Sequence, residues 1–145
     1  MPPKRDRNAP LLTDEEVLER LPLLEQGVRE FNEGLFFQAH ETWEEIWIVS
    51  PWPVRNFLQG IIQVAAAFVH LTRNEYPGTH RLLREAIRKL SGFPSPYLGI
   101  DNARLLEESQ RCLEDILALG EGGLHRFDRS LLPKIRMDRQ EPRAS

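Results

Sequence analysis

Apolar residues along this chain recur at three- and four-residue intervals, which is the period of a helix face. Leu24, Val28 and Phe31 mark one such stripe, and Phe36, Ala39, Trp43, Ile46 and Trp47 mark the next. A third stretch, about residues 53 to 73, is apolar nearly all round, with Val54, Phe57, Leu58, Ile61, Ile62, Ala65, Phe68 and Val69 on a wide face. A helix of that kind is a buried one. Two more stripes follow: Leu82, Leu83, Ala86, Ile87 and Leu90, then Leu105, Leu106, Cys112, Leu113, Ile116 and Leu117. No stretch alternates with period two for long enough to predict a sheet.

Punctuation residues place the boundaries. Thr13-Asp-Glu-Glu16 reads as a capping box. Pro22 predicts a break before a helix at Leu23–Glu33, and Gly34 supplies a left-handed cap after it. A central helix at 35–49 stops before Ser50-Pro-Trp-Pro53, and Pro53 opens the next as its first residue. That short link predicts an antiparallel pair. Asn74-Glu-Tyr-Pro-Gly78 reads as a turn before a helix at 79–91, and Asp101 caps a last helix at 102–119. Leu131-Leu-Pro-Lys-Ile135 reads as an extended strap. The expectation is an all-α compact bundle of five to six helices with short loops. It has a mobile, disordered tail at 1–10, a single helical domain at 11–120, and a strap and polar tail at 121–145.

Composition narrows the class. The formal net charge is −3, yet residues 11–120 hold ten basic against seventeen acidic side chains, while both ends lean basic. An acidic body argues against nucleic-acid binding. The longest apolar stretch, Phe57 to Leu71, is interrupted by Gln59, Gln63 and His70 and reads as short of a membrane span. No signal-type segment is read at the N-terminus, so the expected setting is cytoplasmic. One cysteine, Cys112, makes neither an internal disulfide nor a Cys-based zinc site.

Phe31-Asn-x-Gly34, Phe36-Phe37, His40-Glu41-x-x-Glu44-x-x-Trp47 and Phe57-x-Gln59-Gly60-x-x-Gln63-x-Ala65 together resemble the domain of unknown function 309 family, over about residues 25–92. The resemblance implies a small all-helical fold in a family without an established biochemical role. It supplies no catalytic assignment.

Candidate chemistry therefore rests on the residues. His40 and Glu44, four apart, stack on one helix stripe, and Gln59, Gln63 and His70 fall within a narrow arc of the following helix. One reading is a polar network, or a ligand pocket without metal, formed by His40, Glu44, Gln59, Gln63 and His70 between the two helices. Phe36, Trp43 and Trp47 would be core or, secondly, its aromatic wall. The partner would be a small molecule or a protein, and self-association is left open. The alternative is a hydrolase-like enzyme holding a divalent metal such as zinc. His40-Glu41-x-x-Glu44 resembles the His-Glu-x-x-His pattern with its second histidine replaced. His40, Glu44 and His70 would ligate and Glu41 would act as base.

Overall fold

The computed structural model describes residues 12–138. It contains α1 (Asp14–Glu19), α2 (Leu21–Asn32), α3 (Phe36–Trp47), α4 (Val54–Thr72), α5 (Tyr76–Leu90) and α6 (Asn102–Gly123). Among the described residues there is no strand, only isolated bridges of Ile100 with Tyr97 and Met137. The all-α bundle is as expected, while the disordered tail expected at 1–10 and the end of the polar tail lie outside the described residues.

Local chemistry explains most boundaries. Thr13 and Glu16 form the reciprocal capping box. α2 starts at Leu21, earlier than the sequence reading, because Pro22 is tolerated in a first turn whose N–H groups lack intrahelical partners. Gly34, at φ 81°, turns the chain into α3. α5 begins at Tyr76, inside the segment read as a turn. Pro77 again sits in a first turn, and Asn74 at φ 57° makes the reversal instead. Asp101 caps α6 by accepting from the Arg104 N–H at 3.2 Å. α6 then outruns its expected end by kinking at Gly120, φ 68°, and continuing to Gly123.

Packing follows chain order: α2 on α3, α3 on α4, α4 on α5, α5 on α6. α3 and α4 run antiparallel, since Phe36 meets Phe68 at 5.4 Å between centroids while Trp47 meets Arg55 at the other end. Phe31, Phe36, Phe68 and Trp43 form the aromatic centre of the core. α4 is its axis. By length and composition Val54–Thr72 is apolar enough to cross a membrane, which corrects the reading of a shorter segment at 57–71. Here the helix is packed between α3 and α5, as a core helix is.

The strap belongs to the same core. Leu124, Phe127 and Ile135 are buried. Asn32 fastens it with both halves of its amide: Nδ2 donates to the Ile135 carbonyl at 2.9 Å and Oδ1 accepts from the Ile135 N–H at 2.7 Å. Lys134 Nζ donates to the Asn32 carbonyl. Farther along, Asp101 N–H donates to Arg136 and Asp138 N–H to Gly99.

Candidate functional site

α3 lays its side chains out in bands. Ala39, Trp43 and Ile46 face the core; Thr42 reaches α2, donating to Glu30 Oε1 at 2.6 Å. His40 and Glu44 lie on the outward side of the seam with α4. Their contact is Nε2 to Oε1 at 3.2 Å, with side chains 26% and 23% exposed. Nε2 faces the carboxylate, and Nδ1 is the second polar atom of the ring. That Nδ1 is buried and has no hydrogen-bond partner among the described residues. Phe37 stacks beside the ring, 6.3 Å away and 18° from parallel, and is itself exposed.

The expected five-residue constellation is not gathered into one pocket. His40 pairs along its own helix because a side chain four residues on is always within reach. Across the bundle the partners are different ones. Gln63 Oε1 accepts from Lys89 Nζ of α5 at 3.2 Å, and Lys89 also lies 3.8 Å from Glu85. His70 Nδ1 meets Glu75 Oε1 at 2.9 Å, its ring laid over Gly78, where a Cβ would come within 2.7 Å. Gln59 is half-buried and makes no side-chain hydrogen bond among the described residues. Helix rotation explains the split: α4 turns Gln59, Gln63 and His70 outward, so Gln63 meets Lys89 of α5 and His70 meets Glu75 in the turn before it.

The same geometry bears on a metal. Among the described residues no three His, Cys, Asp or Glu side chains come together as a ligand set. His70, engaged with Glu75, does not complete the His40–Glu44 pair, and Glu41 points to solvent. A tetrahedral zinc site with three protein ligands does not fit this arrangement.

The aromatic wall divides as well. Phe36 and Trp43 are core residues, and Trp43 Nε1 donates to the Leu24 carbonyl at 3.2 Å. Trp47 is half-buried, with the Arg55 guanidinium 4.5 Å from its ring centroid. Its Nε1 is buried and unpartnered among the described residues, like His40 Nδ1. Clefts of about 340 and 330 Å³ open elsewhere, on the two sides of the strap. Cys112 lines the first; burial pushes its thiol up to about 12, with Asp115 and Glu108 adding to the effect. It is an inert thiol.

Two polar residues outside the expected site hold elements together, and a third keeps an unpartnered ring nitrogen. Asn32 clamps the strap. Thr42 ties α3 to α2. His80, its ring tilted 42° against that of Tyr76 at 4.8 Å between centroids, has a buried Nδ1 without a partner among the described residues. Its pKa is lowered by desolvation first, then by Arg84 and Arg81. The position of Asn32, just before a glycine cap, was a usable signal; nothing local distinguished His80.

Residues 24–82 match the family described as a domain of unknown function, DUF309. This bears out the motif resemblance over a span slightly shorter than the one read from the motifs. The DUF309 segment carries His40, Glu44, Gln59, Gln63 and His70, and leaves α6 and the strap outside. The chain is also similar to the uncharacterized protein YpuF of Bacillus subtilis (strain 168), 37% identical over 84 residues. That match covers 56% of this chain and 48% of YpuF, so the chain spans about half the length of that relative. Neither description carries an activity.

Proposed function

We propose that this chain is a non-enzymatic interaction module whose binding face is the outward side of α3 and α4. One observation carries the reading. α4 holds no charged side chain between Arg55 and Arg73, yet its outward arc of Gln59, Gln63, Ala66 and His70 stays partly exposed. A helix face exposed to water for good normally carries charges. With it go the partly exposed His40–Glu44 pair and two buried nitrogens, His40 Nδ1 and Trp47 Nε1, that have no hydrogen-bond partner among the described residues. Unsatisfied polar groups cost stability, and natural proteins retain such costs mainly at functional sites. Neither cleft beside the strap is lined by these residues, which favours a protein over a small molecule as partner. A cytoplasmic setting goes with this reading, as does the single buried, free cysteine.

The test is stability at low micromolar concentration. His40→Leu and Trp47→Phe each remove an orphaned nitrogen while keeping an apolar body. If these residues serve binding, both variants melt at or above the wild-type temperature. A fall equivalent to more than about 1 kcal/mol in both would assign them to the scaffold and sink the proposal. A zinc arm belongs in the same series: a saturable zinc-induced rise in wild type that disappears in His40→Leu would move the chain towards the metal-dependent reading.

A further inference from the structure

We infer that the outward face of α4 seats a second copy of this chain, the two α4 helices side by side and α3 of each copy lying over α5 of the other. The inference rests on the reading of this face as a binding face and names its partner.

The first support is composition at the place of contact. Only 56% of an 18-residue window of α4 is buried within its own chain, and the part left over carries Arg55 near one end but no Asp, Glu, Lys or Arg from Asn56 to Thr72. Ala66 stands at its middle. Helices pack with axes about 8–10 Å apart, and a small residue at the crossing allows that approach.

The second support is charge, and it selects a second copy over an unrelated partner. On one side of the neutral arc α3 turns Glu41, Glu44 and Glu45 outward; on the other, α5 carries Arg81, Arg84, Arg88 and Lys89. Glu85 lies among these cations, 2.6 Å from Arg88 and 3.8 Å from Lys89. An acidic flank and a basic flank about a neutral stripe make a self-complementary surface, which is what an isologous dimer requires.

The axis follows from the topology. α3 and α5 are both antiparallel to α4, so they are parallel to each other. A two-fold axis along α4 exchanges the flanks and keeps their height, setting acidic α3 on basic α5 twice. A two-fold axis across α4 would set acid on acid and base on base, which is unfavourable. Register can be read from contacts already given. Phe36 lies level with Phe68, Gly78 with His70, and Lys89 with Gln63. These levels bring Glu41 within about one turn of Arg88 of the other copy. Both side chains are exposed in the single chain, Arg88 at 72%. α4 is about 28 Å long at 1.5 Å per residue, and three helices side by side are about 27 Å wide. The footprint of about 750 Å² per copy is that of a standard interface.

The experiment is sedimentation velocity of the full chain from micromolar to near-millimolar concentration. The expected result is a reversible dimer. Ala66→Arg should abolish it without changing the far-ultraviolet circular dichroism. Glu41→Arg and Arg88→Glu, both at exposed positions, should each weaken it about tenfold or more, and the double reversal should recover most of the loss. A wild type that stays monomeric throughout overturns the inference, as does a dimer indifferent to Ala66→Arg. Failure of the double reversal to rescue overturns the α3-on-α5 arrangement. A monomer whose His40→Leu and Trp47→Phe variants still melt at or above wild type would end this inference and leave the binding-face reading standing. If both variants lose stability, the binding-face reading itself fails.

Discussion

Replacing Gly27 with alanine should destabilise this protein, although helix propensity says the opposite. Gly27 lies inside α2, where alanine is favoured over glycine by about 1 kcal/mol. What forbids it is Trp43. A Cβ on residue 27 would lie 2.1 Å from the indole Nε1, 2.5 Å from Cδ1 and 2.7 Å from Cε2. The ring has no room to retreat. It is fully buried, lies 6.0 Å from Phe31 between centroids, and is held by its N–H on the Leu24 carbonyl. Overpacking of this kind costs about 1–3 kcal/mol. Displacing the indole from its acceptor adds roughly 1 kcal/mol or more, since the N–H stays buried. Against the propensity gain, the net loss is about 2 kcal/mol, or a fall in Tm of roughly 6–10 °C for a domain of this size.

The assay is thermal and urea denaturation followed by circular dichroism and tryptophan fluorescence. The denaturant slope should stay constant while the midpoint falls. Gly122→Ala is the matched control: nothing lies within 4 Å of its Cβ position, so the change should stabilise by about 0.4–1 kcal/mol. Trp43→Phe should remove much of the penalty of Gly27→Ala, because the two residues are in contact and their effects will not add. A Gly27→Ala protein that melts above wild type would refute the packing described here.

Asn32→Ala should lower stability by about 1–3 kcal/mol, because both polar groups of Ile135 lose their partner. Hydrogen exchange is the direct check: an Ile135 amide as protected in the variant as in wild type would show that the strap does not depend on the clamp. The folded-state pKa of His80 is depressed, so in acid the unfolded chain binds more protons than the folded one. Stability is therefore unaffected well above about 6.5 and falls as pH drops through that value towards the folded pKa. His80→Gln should flatten the decline, and an identical pH slope in both proteins would rule His80 out as its source.

How much of this was legible beforehand depended on distance along the chain. Helices were readable where their determinants are local: the capping box at Thr13 and Glu16, the Gly34 turn, the Asp101 cap. The error at α5 was of the same local kind. Pro77 and Gly78 look like breakers, but a first turn has no intrahelical use for the missing proline N–H, and Gly78 is small because the His70 ring lies on it. The His40–Glu44 pair was readable because an i, i+4 contact depends only on the helix being formed. The remainder of the expected constellation was not, since the partner of Gln63 depends on the rotation of α5 against α4, and no residue near Gln63 announces Lys89. Asn32 lies at the far extreme, joined to a segment 103 residues away. Gln63 and Asn32 are thus the polar residues whose partners lie far along the chain, while His70 pairs with Glu75 only five residues on. Any surface that the outward arc of α4 shares with a further chain is one step more remote, because its determinants are divided between two molecules. In this sequence it shows only as a missing feature, a solvent-side helix arc without charge. The flanking Glu41 and Arg88 give that gap a direction, and reversing both charges together is the measurement that separates a shared surface from a merely uncharged one.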